Sequence, residues 1–176
     1  MMMESRSIKY GNKRKSDAKG KIGFLLGALF VLIADQISKY AVLTNMELYE
    51  TIPVIPDFFH LTYILNSGAS FGMLQQKTML FILLTSLVIL FMVWMVFFWQ
   101  GLDKATRILL GFIAGGALGN LVDRIRFGAV VDFVDFRGIW PYIFNIADVA
   151  VVCGGILLAI IYMYAEWEKS GGKPKH

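Results

Sequence analysis

Residues 78–99 read TMLFILLTSLVILFMVWMVFFW, a stretch of 22 residues without one charged side chain. At about 1.5 Å per residue, a helix of this length crosses roughly 30 Å of hydrocarbon. The rest of the chain fits the same environment, because 57% of its 176 residues are hydrophobic, more than soluble domains contain. We therefore expect a membrane protein.

Three more apolar stretches complete a membrane-spanning pattern. They cover about 22–42, 105–122 and 143–164, and each is long enough to cross a bilayer as a helix. The first is too long for a cleaved signal peptide, and no clear small-residue cleavage site follows it. The sequence predicts a membrane all-α fold, in which a bundle of four transmembrane helices forms one domain at 21–165.

Basic residues orient these helices. They crowd residues 1–20, which we expect to be a disordered cytoplasmic tail, and recur at Lys104, at Arg107 and in a second tail at 166–176. All of them fall on one side of a four-span bundle, and positive charge marks the cytoplasmic side. We therefore expect both termini to be cytoplasmic, and the net charge of +4 to reflect topology rather than nucleic-acid binding.

Two segments lie on the other side of the membrane in this topology. Residues 43–77 include Pro53, Pro56 and a β-prone run at 58–65. This pattern predicts a small extracytoplasmic β element at the membrane interface. Residues 123–142 are expected to form the second outer loop.

The polar side chains of the apolar spans collect at the outer ends of the helices, and the second span contributes no charged group. Charged groups in hydrocarbon are costly and by default mark function. We predict one polar site just inside the outer leaflet that faces the interior of the bundle. Its members are Asp35, Lys39, Asn120, Asp123, Arg124, Asn145 and Asp148, joined from the outer segments by Asn66 and Asp132.

Asp132 and Asp148 are the residues with the clearest chemistry. Two neighbouring carboxylates cannot both ionise cheaply, so one of them holds a proton. The ionised one can take a proton from water, while the protonated one donates to a peptide carbonyl. This chemistry needs no metal and no cofactor, and we expect neither.

Three pairs also have a structural interpretation that the sequence leaves open. Opposite charges four residues apart pair on a helix face, and a charged pair at a helix end can anchor that end at the membrane interface. An asparagine can also cap a helix N-terminus together with a carboxylate three residues on. These interpretations apply to Asp35 with Lys39, to Asp123 with Arg124 and to Asn145 with Asp148.

Glycine, cysteine and histidine complete the survey. Gly111, Gly115 and Gly119 follow no strand, so their spacing predicts close helix approach and not a nucleotide loop. Cys153 is expected to be a small buried hydrophobe. His60 is expected to be an ordinary interfacial residue, since it has no partners for nucleophilic or metal chemistry.

Five motifs occur in a fixed order along residues 22–164, and with the four-span topology they make a specific signal. They are Asp35-x-x-x-Lys39, Asn66-x-Gly68-x-x-Phe71, the run GGALGNLVDR at 115–124, Gly128-x-Val130-Val131-Asp132-Phe133 and Phe144-Asn145-x-Ala147-Asp148. In these motifs the chain resembles the lipoprotein signal peptidases (signal peptidase II), which are bacterial intramembrane aspartic proteases.

The resemblance implies an aspartic endopeptidase that removes signal peptides from diacylglyceryl-modified prolipoproteins by cutting before the lipidated lipobox cysteine. Asp132 and Asp148 would be the catalytic pair. Residues that bind substrate or support the site would be Asn66, Gly68, Asn120, Asp123, Arg124, Asn145, Asp35 and Lys39.

The resemblance also implies a setting and partners. The setting would be the bacterial cytoplasmic (inner) membrane, with the active site near its extracytoplasmic face. The partners would be the prolipoprotein, membrane lipid and inhibitory cyclic peptide antibiotics, and we expect a monomer.

Two alternatives stay open at this point. The triplet V-D-F occurs twice, so Asp135 is the alternative to Asp132 if the motif register is wrong. A small proton-coupled transporter or channel could relay protons through Asp35, Asp123, Asp132 and Asp148, and a non-enzymatic assembly factor is a third class. The collection of polar groups at one depth favours the peptidase, because a proton path would have to thread the membrane.

Overall fold

A computed structural model describes residues 2–68 and 78–171, with side chains described from residue 17 onward. Four helices in these ranges are long and apolar enough to cross a membrane, which confirms the predicted bundle. They are α1 (Met2–Asn45), α2 (Thr78–Phe98), α3 (Lys104–Phe127) and α4 (Ile146–Lys169). The end of the second motif, residues 69–71, lies outside the described part of the chain.

The helix boundaries differ from the sequence-based ones. Helix α1 begins at Met2, although the sequence predicts a disordered tail over 1–20. Lys, Arg, Glu and Met favour helix, and an existing helix extends without a second nucleation cost. Helix α3 continues to Phe127, so Asp123 and Arg124 lie inside the helix and not in an outer loop. Arg107, placed by the sequence in the loop before α3, lies within that helix and is buried.

Helix α3 is the centre of the bundle because small residues on its surface let its neighbours approach. A Cβ atom at Gly115 would collide with the backbone of Ala28 on α1, so only glycine permits this contact. The apolar core joins α1, α2 and α3 through Phe24, Met92 and Leu110. Outside this core, most large apolar side chains of the helices are exposed, as expected for surfaces that face lipid.

A three-stranded antiparallel sheet closes one end of the bundle. Its strands are β1 (Thr51–Ile55), β2 (Phe59–Asn66) and β3 (Val130–Phe136), in the order β1-β2-β3. The β element predicted in 43–77 is confirmed, but the predicted loop at 123–142 is wrong because it contains β3. The alternation of apolar and acidic residues in VVDFVDF has the two-residue period of a strand, which is the signal that was missed.

The helix directions define two ends of the molecule. Helices α1 and α3 both run toward the sheet, and α4 starts beside it, so we call this end the sheet end. The opposite end holds the first turn of α3, where Arg107 contacts Asp17 of α1. The cytoplasmic location of the termini stays a prediction, and this arrangement is compatible with it.

Candidate active site

A cavity of about 940 Å³ opens at the sheet end between the sheet and helices α2, α3 and α4. Six of the predicted site residues line it, and they are Asn66, Gly68, Asn120, Arg124, Asp132 and Asp148. The other wall is apolar and includes Leu84, Val88 and Met92 of α2. The cavity therefore combines a polar end beside the sheet with an apolar channel between helices, a common design of ligand sites.

Asp132 enters the cavity from the central part of β3 and is 1% exposed. Its Oδ2 accepts a hydrogen bond from Asn66 Nδ2 at 2.9 Å, and its Oδ1 accepts one from Asn145 Nδ2 at 2.6 Å. Burial, together with the charge of Asp148, raises the pKa of Asp132 from 3.8 to about 7, against the opposing effect of the hydrogen bonds from the two amides. Asp132 therefore holds a proton up to near-neutral pH.

Asp148 enters the same cavity from the first turn of α4. Asn145 caps this helix, because its Oδ1 accepts the backbone N–H of Asp148 at 2.9 Å and Asp148 Oδ2 accepts the backbone N–H of Asn145 at 3.2 Å. The capping interpretation of this pair is confirmed. The other oxygen of Asp148 accepts from Asn120 Nδ2 at 2.8 Å, so the cap also fixes the carboxylate in the cavity.

Two asparagines connect the aspartates from behind. Asn145 Nδ2 contacts Asp132 Oδ1 and also donates to Asn120 Oδ1 at 3.0 Å, while Asn120 Nδ2 donates to Asp148. Asn145 is fully buried, so these bonds are not exchanged with solvent. The two carboxylates thus belong to one hydrogen-bond network and face one cavity.

The sheet register separates Asp132 from Asp135. Ile64 of β2 pairs with Asp132, and Asn66 lies two residues further on the same face, which explains how Asn66 reaches Asp132. Asp135, an odd number of residues away, faces the opposite side. There it accepts hydrogen bonds from Thr62 Oγ1 at 2.8 Å and Arg137 Nε at 3.3 Å. Asp135 does not line the cavity described above, in agreement with the register that selects Asp132.

Three charged residues lie behind the cavity wall, between α1 and α3. Lys39 Nζ is 2.8 Å from Asp35 Oδ2 and 2.8 Å from Asp123 Oδ2, and all three residues are buried. The predicted Asp35–Lys39 ion pair is therefore present, but Asp123 joins it instead of pairing with Arg124. Arg124 points to the cavity and lies over the ring of Phe81 on α2, with 5.1 Å between Cζ and the ring centroid.

Sequence reasoning missed several residues of this region. Gln36 Nε2 donates to Asp123 Oδ1 at 3.1 Å and to Asp35 Oδ2 at 3.2 Å. Its signal was visible, since it is a polar residue within an apolar span. The rings of Phe136 and Phe144 stack beside the polar end with 6.0 Å between centroids. Phe144 begins the fifth motif, but nothing in the sequence indicated this stacking.

The expectation that Cys153 is buried was wrong, while the interfacial position of His60 stays a prediction. Cys153 is exposed and lines the apolar part of the cavity. His60 is 5% exposed, since β2 is the central strand, and its Nδ1 has no hydrogen-bond partner among the described residues. Within that same part of the chain, no three His, Cys, Asp or Glu side chains are arranged to hold a metal ion.

Comparison with known proteins fits this arrangement. The family model described as signal peptidase (SPase) II matches residues 27–164. The lipoprotein signal peptidase of Moorella thermoacetica is 50% identical over 135 residues, which cover 77% of this chain and 89% of that protein. The enzyme of the same description from Halothermothrix orenii is 49% identical, over 81% and 95% of the two chains.

A solved structure has the same fold. It is a bacterial membrane enzyme determined by the in meso method at 2.3 Å resolution, with a TM-score of 0.73 and 33% identity over 87% of this chain and 92% of that one. The matched family region contains both cavity aspartates, the whole of α2 and α3, and parts of α1 and α4. This chain belongs to the signal peptidase II family, whose members are membrane hydrolases of the aspartic type.

Proposed function

We propose that this protein cuts the signal peptide from diacylglyceryl-modified prolipoproteins with Asp132 and Asp148 as the catalytic pair. The observation that carries the proposal is the single network in which both carboxylates face one cavity and are held from behind by Asn120 and Asn145. A peptide bond placed over this pair meets two carboxyl groups with different surroundings, which is what acid–base hydrolysis requires.

The two aspartates take different roles. Asp132 is the more deeply buried, and its pKa of about 7 makes it the proton donor to the peptide carbonyl. Asp148 accepts a proton from the attacking water, and its bonds to Asn120 and to the backbone of Asn145 keep it in place. In the second half of the reaction, Asp148 passes the proton that it took from water to the nitrogen of the leaving amine.

The cavity suits a lipid-modified substrate. Its apolar channel lies between helices and is lined by Leu84, Val88, Met92 and Val152, where acyl chains lose no hydrogen bond and gain apolar contact. Its polar end lies beside the sheet, where the peptide backbone can pair with Asn66 and Arg124. A cysteine carrying diacylglycerol would place its acyl chains in the channel and its peptide bond at the aspartates, so cleavage falls directly before it.

The setting follows from the same substrate. The family resemblance implies an active site near the extracytoplasmic face of the bacterial cytoplasmic membrane, so the sheet end would face outward. The transporter alternative has less support, because the described buried charges form separate clusters at the two ends of the bundle. We retain the expectations of a monomer and of inhibition by cyclic peptide antibiotics that occupy the cavity.

The experiment is direct cleavage by the purified protein in detergent. A synthetic lipobox peptide with a diacylglyceryl cysteine should yield, by mass spectrometry, one cut before that cysteine. The same peptide without the lipid is the matched control and should be cut far more slowly. Cutting at another bond, or equal cutting of both peptides, would contradict the proposal.

A further inference from the structure

The ammonium group of Lys39 has a complete set of partners. It contacts Asp35 Oδ2, Asp123 Oδ2 and, at 2.9 Å, Asn120 Oδ1. An ammonium group has three donors, and here each has one acceptor. Lys39 is 1% exposed, so water does not compete for these bonds.

Each carboxylate of this cluster also holds a backbone amide beside a catalytic aspartate. Asp35 Oδ1 accepts the N–H of Ala147 at 3.0 Å, the residue before Asp148. Asp123 Oδ2 accepts the N–H of Val131 at 3.1 Å, the residue before Asp132. The two bonds therefore run from one ion cluster to the start of α4 and to β3.

We propose that Asp35, Lys39 and Asp123 form a positioning cluster that sets the separation and orientation of Asp132 and Asp148. Lys39 holds the two carboxylates together, and each carboxylate holds the main chain next to one aspartate. The inference rests on the proposed function, because it assigns these residues to the geometry of that catalytic pair. All three residues act through others and are positioning residues.

Asn120 provides a third connection. Because Lys39 donates to its Oδ1, the amide must present Nδ2 to Asp148, and that bond is 2.8 Å long. A reversed amide would place Oδ1 against the carboxylate and repel it. Lys39 therefore also decides which group of Asn120 faces the catalytic pair.

Helix packing alone does not require these charges. A buried ion pair is weak evidence for stability, since apolar residues of similar volume often replace it without loss. Packing at this point is also tight, because a Cβ atom at Gly119 would collide with the carboxylate of Asp35. What apolar side chains cannot supply is an acceptor for the N–H groups of Ala147 and Val131.

The test uses the double variant Asp35→Val/Lys39→Met of the full chain in detergent, with the same lipidated peptide. One negative and one positive group leave together, so the local net charge is unchanged. We expect kcat to fall about 10²-fold, the loss typical of a displacement of about 1 Å at a reacting group, with KM changed much less. The matched control is Arg107→Met, which removes the other buried cation of the α1–α3 pair at the opposite end.

The pH profile separates positioning from simple destabilisation. Charged groups that interact with Asp132 are Lys39 from α1, Arg124 from α3 and Asp148 from α4. If the pair opens, Asp132 loses part of the burial and of the repulsion by Asp148 that raise its pKa. Loss of the Lys39 charge in the double variant acts in the opposite direction, so the sign is read in Gln36→Leu, which keeps all three charges. Its alkaline limb of kcat/KM should move to lower pH, and the limb of Arg107→Met should stay in place.

If the double variant does not fold or cannot be assayed, a milder variant and a crystal structure still test the proposal. Gln36→Leu keeps all three charges but removes the amide that joins Asp35 to Asp123, and should give a smaller fall in kcat with that movement of the pH limb to lower pH. In crystals, the Cα separation of Asp132 and Asp148 should change by about 1 Å or more in the folded variants.

Unchanged separation, or kinetics and pH profiles equal to those of Arg107→Met, would overturn the positioning role. A wild-type protein that leaves the lipidated peptide intact would instead overturn the proposed function, while the crystallographic comparison would still decide whether the cluster sets the geometry.

Discussion

Among the described side chains, helices α1 and α3 enclose two buried cations, one at each end of the bundle, and the two are bonded differently. Lys39 at the sheet end and Arg107 at the opposite end are each 1% exposed. Lys39 has a partner for each of its donors. Arg107 pairs with the carboxylate of Asp17 and donates to its backbone oxygen at 2.9 Å, but its Nε has no partner among the described residues.

The acidic partners of the two cations also differ, both in burial and in the groups that they contact. The side chain of Asp17 is 39% exposed, and Arg107 connects it to the end of α2 through Trp99 O at 3.4 Å. The carboxylates around Lys39 are buried and bind the backbone beside the cavity. Two equally buried cations can therefore have different roles. The role depends on which groups the partners of the cation contact.

The largest expected difference between the two ends is in chemistry. Asp132→Asn and Asp148→Asn should each lower kcat by about 10³-fold or more, because asparagine keeps the shape but removes the proton that the reaction transfers. Binding of lipopeptide and the melting temperature should change little. Single-turnover cleavage by the purified variants measures this, and substantial turnover in either one would remove that residue from the catalytic pair.

A second difference is expected in stability. Lys39→Met leaves two buried carboxylates facing each other without a cation, so it should lower the free energy of unfolding by about 3–5 kcal/mol. Arg107→Met should cost less, because its partly exposed carboxylate partner regains water. Thermal unfolding in one detergent compares them, and equal losses would show that the two cations are energetically equivalent.

A third prediction concerns pH and belongs to the sheet end alone. The pKa of Asp132 is raised to about 7, and the protonated form is the proton donor. kcat/KM should therefore be highest below pH 7 and fall about tenfold per pH unit above it. The alkaline limb should keep its position in Arg107→Met. Activity that stays constant from pH 6 to pH 9 would contradict the role of Asp132 as the acid.

Asn66 offers a smaller contrast within the sheet end. Asn66→Ala removes the hydrogen bond to Asp132 Oδ2 and should lower kcat/KM about tenfold, the value of a bond to a partly charged group. Leu83→Ala on the exposed side of α2 is the control and should have little effect.

We also expect residues 43–77 to become more ordered when an inhibitor binds, which hydrogen exchange can follow. Normal processing by Asn66→Ala, together with unchanged exchange, would contradict a role of this segment in holding the substrate backbone.

The smallest effect should come from Cys153. It is exposed in the apolar channel, where alanine removes only one sulfur atom. Cys153→Ala should keep kcat within about twofold, because the thiol touches none of the groups in the aspartate network. A folded but inactive Cys153→Ala protein would require thiol chemistry in place of the aspartic mechanism.

The sequence predicted the helices well because spans of about 20 apolar residues have few alternatives to crossing a bilayer. It also brought the site residues together, since topology places Asp35, Asn120 and Asn145 at one depth. It missed β3, because a loop assignment for 123–142 ignored the two-residue alternation around Asp132. It also ended α3 too early, since polar residues at a helix end resemble a boundary when their partners are unknown.

What the sequence determined by itself is the set of membrane helices, the family motifs and the presence of two aspartates next to the apolar spans, because these depend on composition and local spacing. Only the tertiary structure decided how the charges are used. The bonds from Asp35 to Ala147 and from Asp123 to Val131 join backbone groups that carry no sequence signal. Every residue except proline has an N–H group, so only the packing of α1, α3 and α4 determines which of them meets a buried carboxylate.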